Sequence, residues 1–298
     1  MYKVLFVDDE VSIRSMFLDY FENCYEVKIA ENASAALEIL GQGSVDLVVS
    51  DINMPGMSGP DLLREVRKRY PQTRTALITA YNIDDYIKVA RENSICSIIP
   101  KTVPFNFKEM EQILNGLLTG EIFGIRNYLR PEAVFFGNHC IQSSAQAREV
   151  RELIVAELQS KFGTAGDMKL ILDEILTNAI YHAPVNEDGS EKYQEFTEVV
   201  LEPEEYVYIE CGHDNEKYGV SVTDLQGRLK KETVLQKLER QITGEGLLDD
   251  SGRGLHMSRL FADRMVINIK RNKKTELVVM NYFSGKYRGY KPLYINEL

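Results

Sequence analysis

Asp8 and Asp9, Asp51, Thr79 and Lys101 each stand at the end of a short apolar run, and these are the residue types that phosphoryl chemistry needs. Three carboxylates brought to one place repel one another unless a divalent cation lies between them, and an oxygen-only cluster of this kind suits Mg²⁺. A lysine ammonium beside it neutralises a phosphoryl oxygen. Further along, Glu174, Asn178 and His182 recur at a spacing of four, which puts them on one face of a helix. Two glycine-containing stretches follow, Asp224-Leu-Gln-Gly227 and Ser251-Gly-Arg-Gly-Leu255. Alone, a polar helix face is usually solvated and a Gly-x-Gly is usually an ordinary helix start. Together they suggest a second phosphate-handling site.

The elements that must position the first set alternate regularly. Apolar runs at 4–7, 25–30, 47–49, 76–78 and 97–99 are followed by helical patterns at 11–23, 33–40, 61–69, 84–91 and 108–118. Five such units predict an α/β, doubly wound, five-stranded parallel sheet of flavodoxin-like type. In that architecture ligands sit beyond the carboxyl ends of the strands, where the five residues above converge. The set resembles the response-regulator receiver family over roughly residues 1–120. The resemblance implies that Asp51 is the phosphoacceptor, that Asp8, Asp9, Asp51 and the Asn53 carbonyl hold Mg²⁺, and that Thr79 and Lys101 contact the phosphoryl group. The loop Asp51-Ile-Asn-Met-Pro-Gly-Met-Ser-Gly59 shapes a tight turn beside the nucleophile. Two positions depart from the family: Thr102-Val103-Pro104 follows the lysine, and Ile98 stands where an aromatic is usual. An element other than that aromatic is therefore expected to report the phosphorylation state.

Between 118 and 142 the beat stops at Gly120, Gly124, Pro131 and Gly137, which predicts a linker over 121–142 between a domain at 1–120 and another at 143–298. The second domain opens with helices over 143–161, capped by Ser143 or Ser144, and 165–182. Strands are expected at 198–201, 206–211, 219–223, 265–270 and 275–282. Here the chain resembles the GHKL ATPase superfamily over roughly 140–285, whose fold is an α/β sandwich with a mixed sheet covered on one side by helices. Leu172-Asp-Glu174-Ile-Leu-Thr-Asn178-Ala-Ile-Tyr-His182-Ala matches its N-box, and the two glycine stretches match its glycine boxes.

By that resemblance Glu174 is the general base, Asn178 offers an amide oxygen to Mg²⁺, and His182 belongs to the ATP site. Asp224 accepts the adenine exocyclic amine, a group that guanine lacks at that position. Gly227 lets the backbone lie against the base, Gly252 and Gly254 present amides to phosphate oxygens, and Thr275 assists adenine binding. Gln226 stands where the family usually has its first glycine, and 228–250 takes the place of a nucleotide lid.

Residues 118–143 cannot supply the phosphorylatable hairpin of a sensor histidine kinase, which leaves a phosphohistidine kinase as the weakest reading. The helix directly ahead of the N-box instead resembles anti-sigma-factor serine/threonine kinases. The resemblance implies ATP and Mg²⁺ as cofactors, an upstream sensor histidine kinase, and a sigma factor or anti-sigma antagonist as partner, with a homodimer as one expected assembly. The alternative is a non-catalytic nucleotide-binding module that switches partners. The formal net charge of −10 disfavours direct DNA binding. Four dispersed cysteines give no zinc pattern. With no membrane span and no signal peptide, the expected location is cytoplasmic.

Overall fold

The computed structural model describes residues 1–163, 165–245, 253–283 and 291–298. The chain divides into two compact units, the first holding Met1–Glu121 with Leu293 and Tyr294, the second beginning at Ile122 and including Ile295–Leu298.

In the first unit the order is β1 (Lys3–Val7), α1 (Val11–Phe21), β2 (Glu26–Ala30), α2 (Ala33–Gln42), β3 (Leu47–Asp51), α3 (Gly59–Arg69), β4 (Arg74–Thr79), α4 (Ile87–Glu92), β5 (Ser97–Pro100) and α5 (Phe107–Thr119). The strands run parallel in the order β2-β1-β3-β4-β5. Strands covered by helices on both faces need apolar side chains on both, so β3 and Val4–Val7 of β1 are buried throughout. Helix starts follow local chemistry: Asn32 Oδ1 accepts from the Ala35 amide at 2.9 Å, and Asn106 Oδ1 from the Glu109 amide at 3.2 Å. Gly120 ends α5 in the left-handed conformation, at φ 76°. Stacked Phe6, Phe17 and Phe21 fill the core beside α1.

Sequence pattern did not disclose the C-terminal strand β11 (Leu293–Glu297). Its first two residues pair antiparallel with Ile98 and Ser97. Ile98 is completely buried, which explains an aliphatic side chain at that position.

The second unit contains β6 (Val134–Ile141), α6 (Ser144–Phe162), α7 (Met168–Thr177), β7 (Val207–His213), β8 (Lys217–Asp224), α8 (Lys231–Ile242), α9 (Arg253–Phe261), β9 (Arg264–Lys270) and β10 (Lys274–Tyr282). Strands β9-β10-β8-β7-β6 lie in that order, each neighbouring pair antiparallel. Ser143 Oγ accepts from the Gln146 amide at 3.2 Å to start α6, and Gly163 ends it at φ 71°.

Three local expectations differ from the structure. The stretch read as linker carries β6, whose register slips between Phe135 and Gly137. Residues 198–201 form no strand; Val200 makes a single bridge to Ser143. The helix expected to continue to 182 changes to a π-turn over Asn178–His182, closed by the Ala183 amide on the Asn178 carbonyl at 2.9 Å.

Candidate functional sites

Asp8 and Asp51 meet at the carboxyl ends of β1 and β3, with Lys101 from the end of β5 between them. The Lys101 ammonium stands 2.8 Å from Asp8 Oδ2 and 2.6 Å from Asp51 Oδ1, and both carboxylates are buried. The Asn53 amide donates to Asp51 Oδ2 at 2.8 Å, and the Glu10 amide to Asp8 Oδ1 at 3.0 Å. Thr79 is buried at the end of β4, where its Oγ1 accepts from the Tyr81 amide at 3.1 Å and its carbonyl from the Lys101 amide at 2.7 Å. Gly59 presses on the same point: a Cβ there would fall 1.9 Å from the Asp51 carbonyl oxygen. The glycine in the loop sequence therefore has a packing reason as well as a turn reason.

Burial pushes the Asp51 carboxyl above its ordinary range, against the downward pull of Lys101. Burial also pulls the Lys101 ammonium down, but hydrogen bonds and charge from Asp51 and Asp8 outweigh it and leave it raised. The two shifts press the pair in opposite senses. With two carboxylates within 2.8 Å of one ammonium, the geometry favours the ionised form.

Asp9 is exposed, and among the described residues no three acidic, histidine or cysteine side chains stand close enough together to hold a metal. The structure thus joins Asp8, Asp51, Thr79 and Lys101 and leaves Asp9 at the rim. The donors nevertheless fit Mg²⁺: they are oxygens only, and Asp8 Oδ2 is a buried atom with the Lys101 contact but no aligned hydrogen bond. Sequence reasoning missed Tyr86, whose hydroxyl accepts from Asn53 Nδ2 at 2.7 Å. A pairing across 33 positions leaves no periodic signal.

In the second unit, α7 carries Glu174, half-buried, and the π-turn begins with Asn178, exposed. Asn178 Nδ2 donates to the Glu174 carbonyl at 2.7 Å, which turns its amide oxygen outward as a neutral ligand. Helix α9 packs across α7 so closely that a Cβ on Gly254 would lie 1.9 Å from Glu174 Oε2. A side chain at 254 would push that carboxylate aside. His182 is engaged elsewhere: its two ring nitrogens meet Glu191 and Glu195, each at 2.8 Å. Gly252, Ser251 and residues 246–250 of the expected lid lie outside the described residues.

Asp224 closes β8 and is paired in register with Thr275, the second residue of the facing strand β10. Asp224 Oδ1 accepts from the Gln226 amide at 2.8 Å and the Gly227 amide at 3.1 Å. Burial raises the Asp224 carboxyl above its ordinary range, against the amides that stabilise its charge. Thr275 Oγ1 is buried beside it without an aligned hydrogen-bond partner. A buried carboxylate with a hydroxyl at its side suits a nucleobase carrying both donor and acceptor groups, so these residues fit an adenine nucleotide. Gly227 also has a packing reason to be glycine. At φ 60° its missing Cβ would strike the Lys270 carbonyl at 2.3 Å and the Lys273 amide at 2.5 Å, so it packs on the turn between β9 and β10.

Comparison with known proteins divides the chain at the same place. The model of the response regulator receiver domain matches residues 4–115, and that of the histidine kinase-like ATPase domain matches residues 141–282. The response regulator protein FleR of Pseudomonas aeruginosa is 32% identical over 41% of this chain, which spans 26% of FleR. Sporulation initiation phosphotransferase F of Bacillus subtilis is 30% identical over 39% of this chain and 93% of its own length. The structure of the response regulator TrrA of Thermotoga maritima, in complex with Mg²⁺ and BeF, is 34% identical over 40% of this chain and 100% of that one, with a TM-score of 0.36.

Proposed function

We propose a function for a chain that belongs to the response regulator receiver family over residues 4–115 and carries a histidine kinase-like ATPase domain over residues 141–282. It is a response regulator in which phosphorylation of Asp51 controls an ATP-binding output of the anti-sigma-factor serine/threonine kinase type. The observation that carries the kinase reading is the fit of the Glu174 carboxylate against Gly254, because a protein that only bound nucleotide would not need to keep room for a base there.

At the receiver, an Asp51 oxygen attacks the phosphorus of a phosphohistidine on a sensor kinase. The P–N bond breaks, its electron pair leaves with the imidazole, and an acyl phosphate forms. Lys101 moves its charge from carboxylate to phosphoryl oxygen, and the Thr79 hydroxyl donates a hydrogen bond to the phosphoryl group. Asp8, Asp9, Asp51 and the Asn53 carbonyl would hold Mg²⁺, which would supply charge neutralisation there.

At the ATPase site, Asp224 and Thr275 bind adenine, Asn178 would hold Mg²⁺, and the Gly254 segment offers backbone amides to the phosphates. A serine hydroxyl of an anti-sigma antagonist attacks the γ-phosphorus as its proton passes to Glu174, and the P–O bond to ADP breaks. A sigma factor and a second copy of the chain are the further partners of this reading. A non-catalytic partner switch is the second reading, favoured by Gln226 in the first glycine box.

The test measures Mg²⁺-ATP binding and ADP release by the full chain and by Glu174→Ala. The kinase reading expects intact binding and turnover lowered by about 10²-fold. Equal turnover in the two proteins would leave the binding-module reading.

A further inference from the structure

Glu276 is fully buried, carries no opposite charge within ion-pair distance among the described residues, and has no part in the chemistry above. It follows Thr275 on β10, and successive strand residues point to opposite faces. Thr275 therefore belongs to the nucleotide face and Glu276 to the reverse face. There both Glu276 oxygens accept from the Gly124 amide, at 2.9 and 3.1 Å. Asn268, its register partner on β9, donates to Glu276 Oε2 at 2.8 Å and to the Ile122 carbonyl at 2.6 Å. Tyr128 donates to that same carbonyl at 2.6 Å.

Three more contacts hold the same segment. The Lys274 ammonium lies 3.9 Å from the centre of the Phe123 ring. A Cβ on Gly219 of β8 would come within 2.8 Å of Ile125 Cδ1, so the strand is bare of a side chain where the segment crosses it. Gly124 adopts φ 95°, the conformation that turns its amide onto Glu276. Residues 122–128 thus grip β8 and β10, the two strands whose adjoining ends carry Asp224 and Thr275. They are also the first residues after Glu121, where the chain leaves the receiver.

We infer that the segment Ile122–Tyr128 is the transducer between receiver and nucleotide site, with Glu276 and Lys274 as the groups through which its position sets the geometry of Asp224 and Thr275. This rests on the reading that the receiver regulates the ATPase domain. A state-dependent shift at residue 122 displaces the Gly124 amide from Glu276 and the Phe123 ring from Lys274, and β10 follows because the buried Glu276 would otherwise keep only Asn268 as a donor. Coupling of this kind is reciprocal, so ATP also biases the receiver.

The experiment compares Mg²⁺-ATP dissociation constants of the full chain with and without beryllofluoride, in wild type, Phe123→Ala, Phe123→Tyr and Glu276→Gln. Wild type is expected to show at least about a 5-fold difference between the two states. Phe123→Ala and Glu276→Gln are expected to bring the two constants together to within about twofold, whatever the ATP affinity of each variant without beryllofluoride. Phe123→Tyr, which keeps the ring under Lys274, should retain the difference. A wild-type difference that survives in both Phe123→Ala and Glu276→Gln overturns the transducer alone. Equal constants in wild type overturn the regulatory reading, and the transducer with it.

Discussion

Replacing Gly254 by alanine isolates the catalytic claim. The added Cβ would stand 1.9 Å from Glu174 Oε2 and 2.9 Å from its Cδ. Non-bonded heavy atoms settle at roughly 3.5 Å, so the carboxylate must retreat by about 1.5 Å or the helices must part. Displacing a reacting group by about 1 Å costs about 10²-fold in rate, and a fall in turnover of that size or larger is expected. Asp224 and Thr275 do not touch position 254, so adenine recognition should hold and ATP affinity should fall much less than turnover. The assay pairs steady-state ADP release with equilibrium Mg²⁺-ATP binding, and amide exchange on α7 and α9 checks that the fold is kept. Wild-type turnover in Gly254→Ala would refute the placement of Glu174 as base. Loss of binding and turnover together would show that the substitution acts through the phosphate contact and not through Glu174.

Lys101→Met leaves Asp8 and Asp51 buried and facing each other, and removing one partner of a buried ion pair costs about 3–5 kcal/mol. Thermal unfolding should therefore show a large drop that Mg²⁺ partly restores; an unchanged midpoint would contradict the pairing. Acetyl phosphate with Mg²⁺ should label wild type and leave Asp51→Asn unlabelled, and label retained in that variant would place the acceptor elsewhere. Because Asp224 must be ionised to accept from adenine and its pKa is raised by burial, ATP affinity should be flat above that raised value. It should then fall by about tenfold per unit as pH drops below it, starting above the ordinary carboxylate range. Asp224→Asn should bind ATP weakly with no such slope; the same slope in that variant would assign the titration to another group.

The receiver was legible because parallel strands buried on both faces read as unbroken apolar runs, and a helix follows each one. Asp8, Asp51, Thr79 and Lys101 closed those runs, so topology alone brought them together. The second unit was less legible for local reasons. Strand β6 reads Val-Phe-Phe-Gly-Asn-His-Cys-Ile, with a glycine at the register slip and mostly half-buried residues, so neither alternation nor an apolar run marks it. Val199-Val200-Leu201 has strand-forming residues but makes only one bridge, because the chain turns into Pro203. Gly227 has a packing reason that the motif did not disclose, since a Cβ there would strike the Lys270 carbonyl. The Asn53–Tyr86 bond and the Glu276 network join residues far apart in sequence, and no spacing rule reaches such pairs.

The central claim is that the state of Asp51 governs the output of the ATPase domain. The measurement that tests it most directly is the rate of ADP release from Mg²⁺-ATP by the full chain, before and after treatment with acetyl phosphate, with Asp51→Asn carried in parallel. A coupling free energy of ordinary size changes an equilibrium by about 5- to 150-fold. The wild-type rate is expected to change by severalfold on phosphorylation and the Asp51→Asn rate to stay constant. A wild-type chain labelled at Asp51 whose rate is the same before and after would contradict the account.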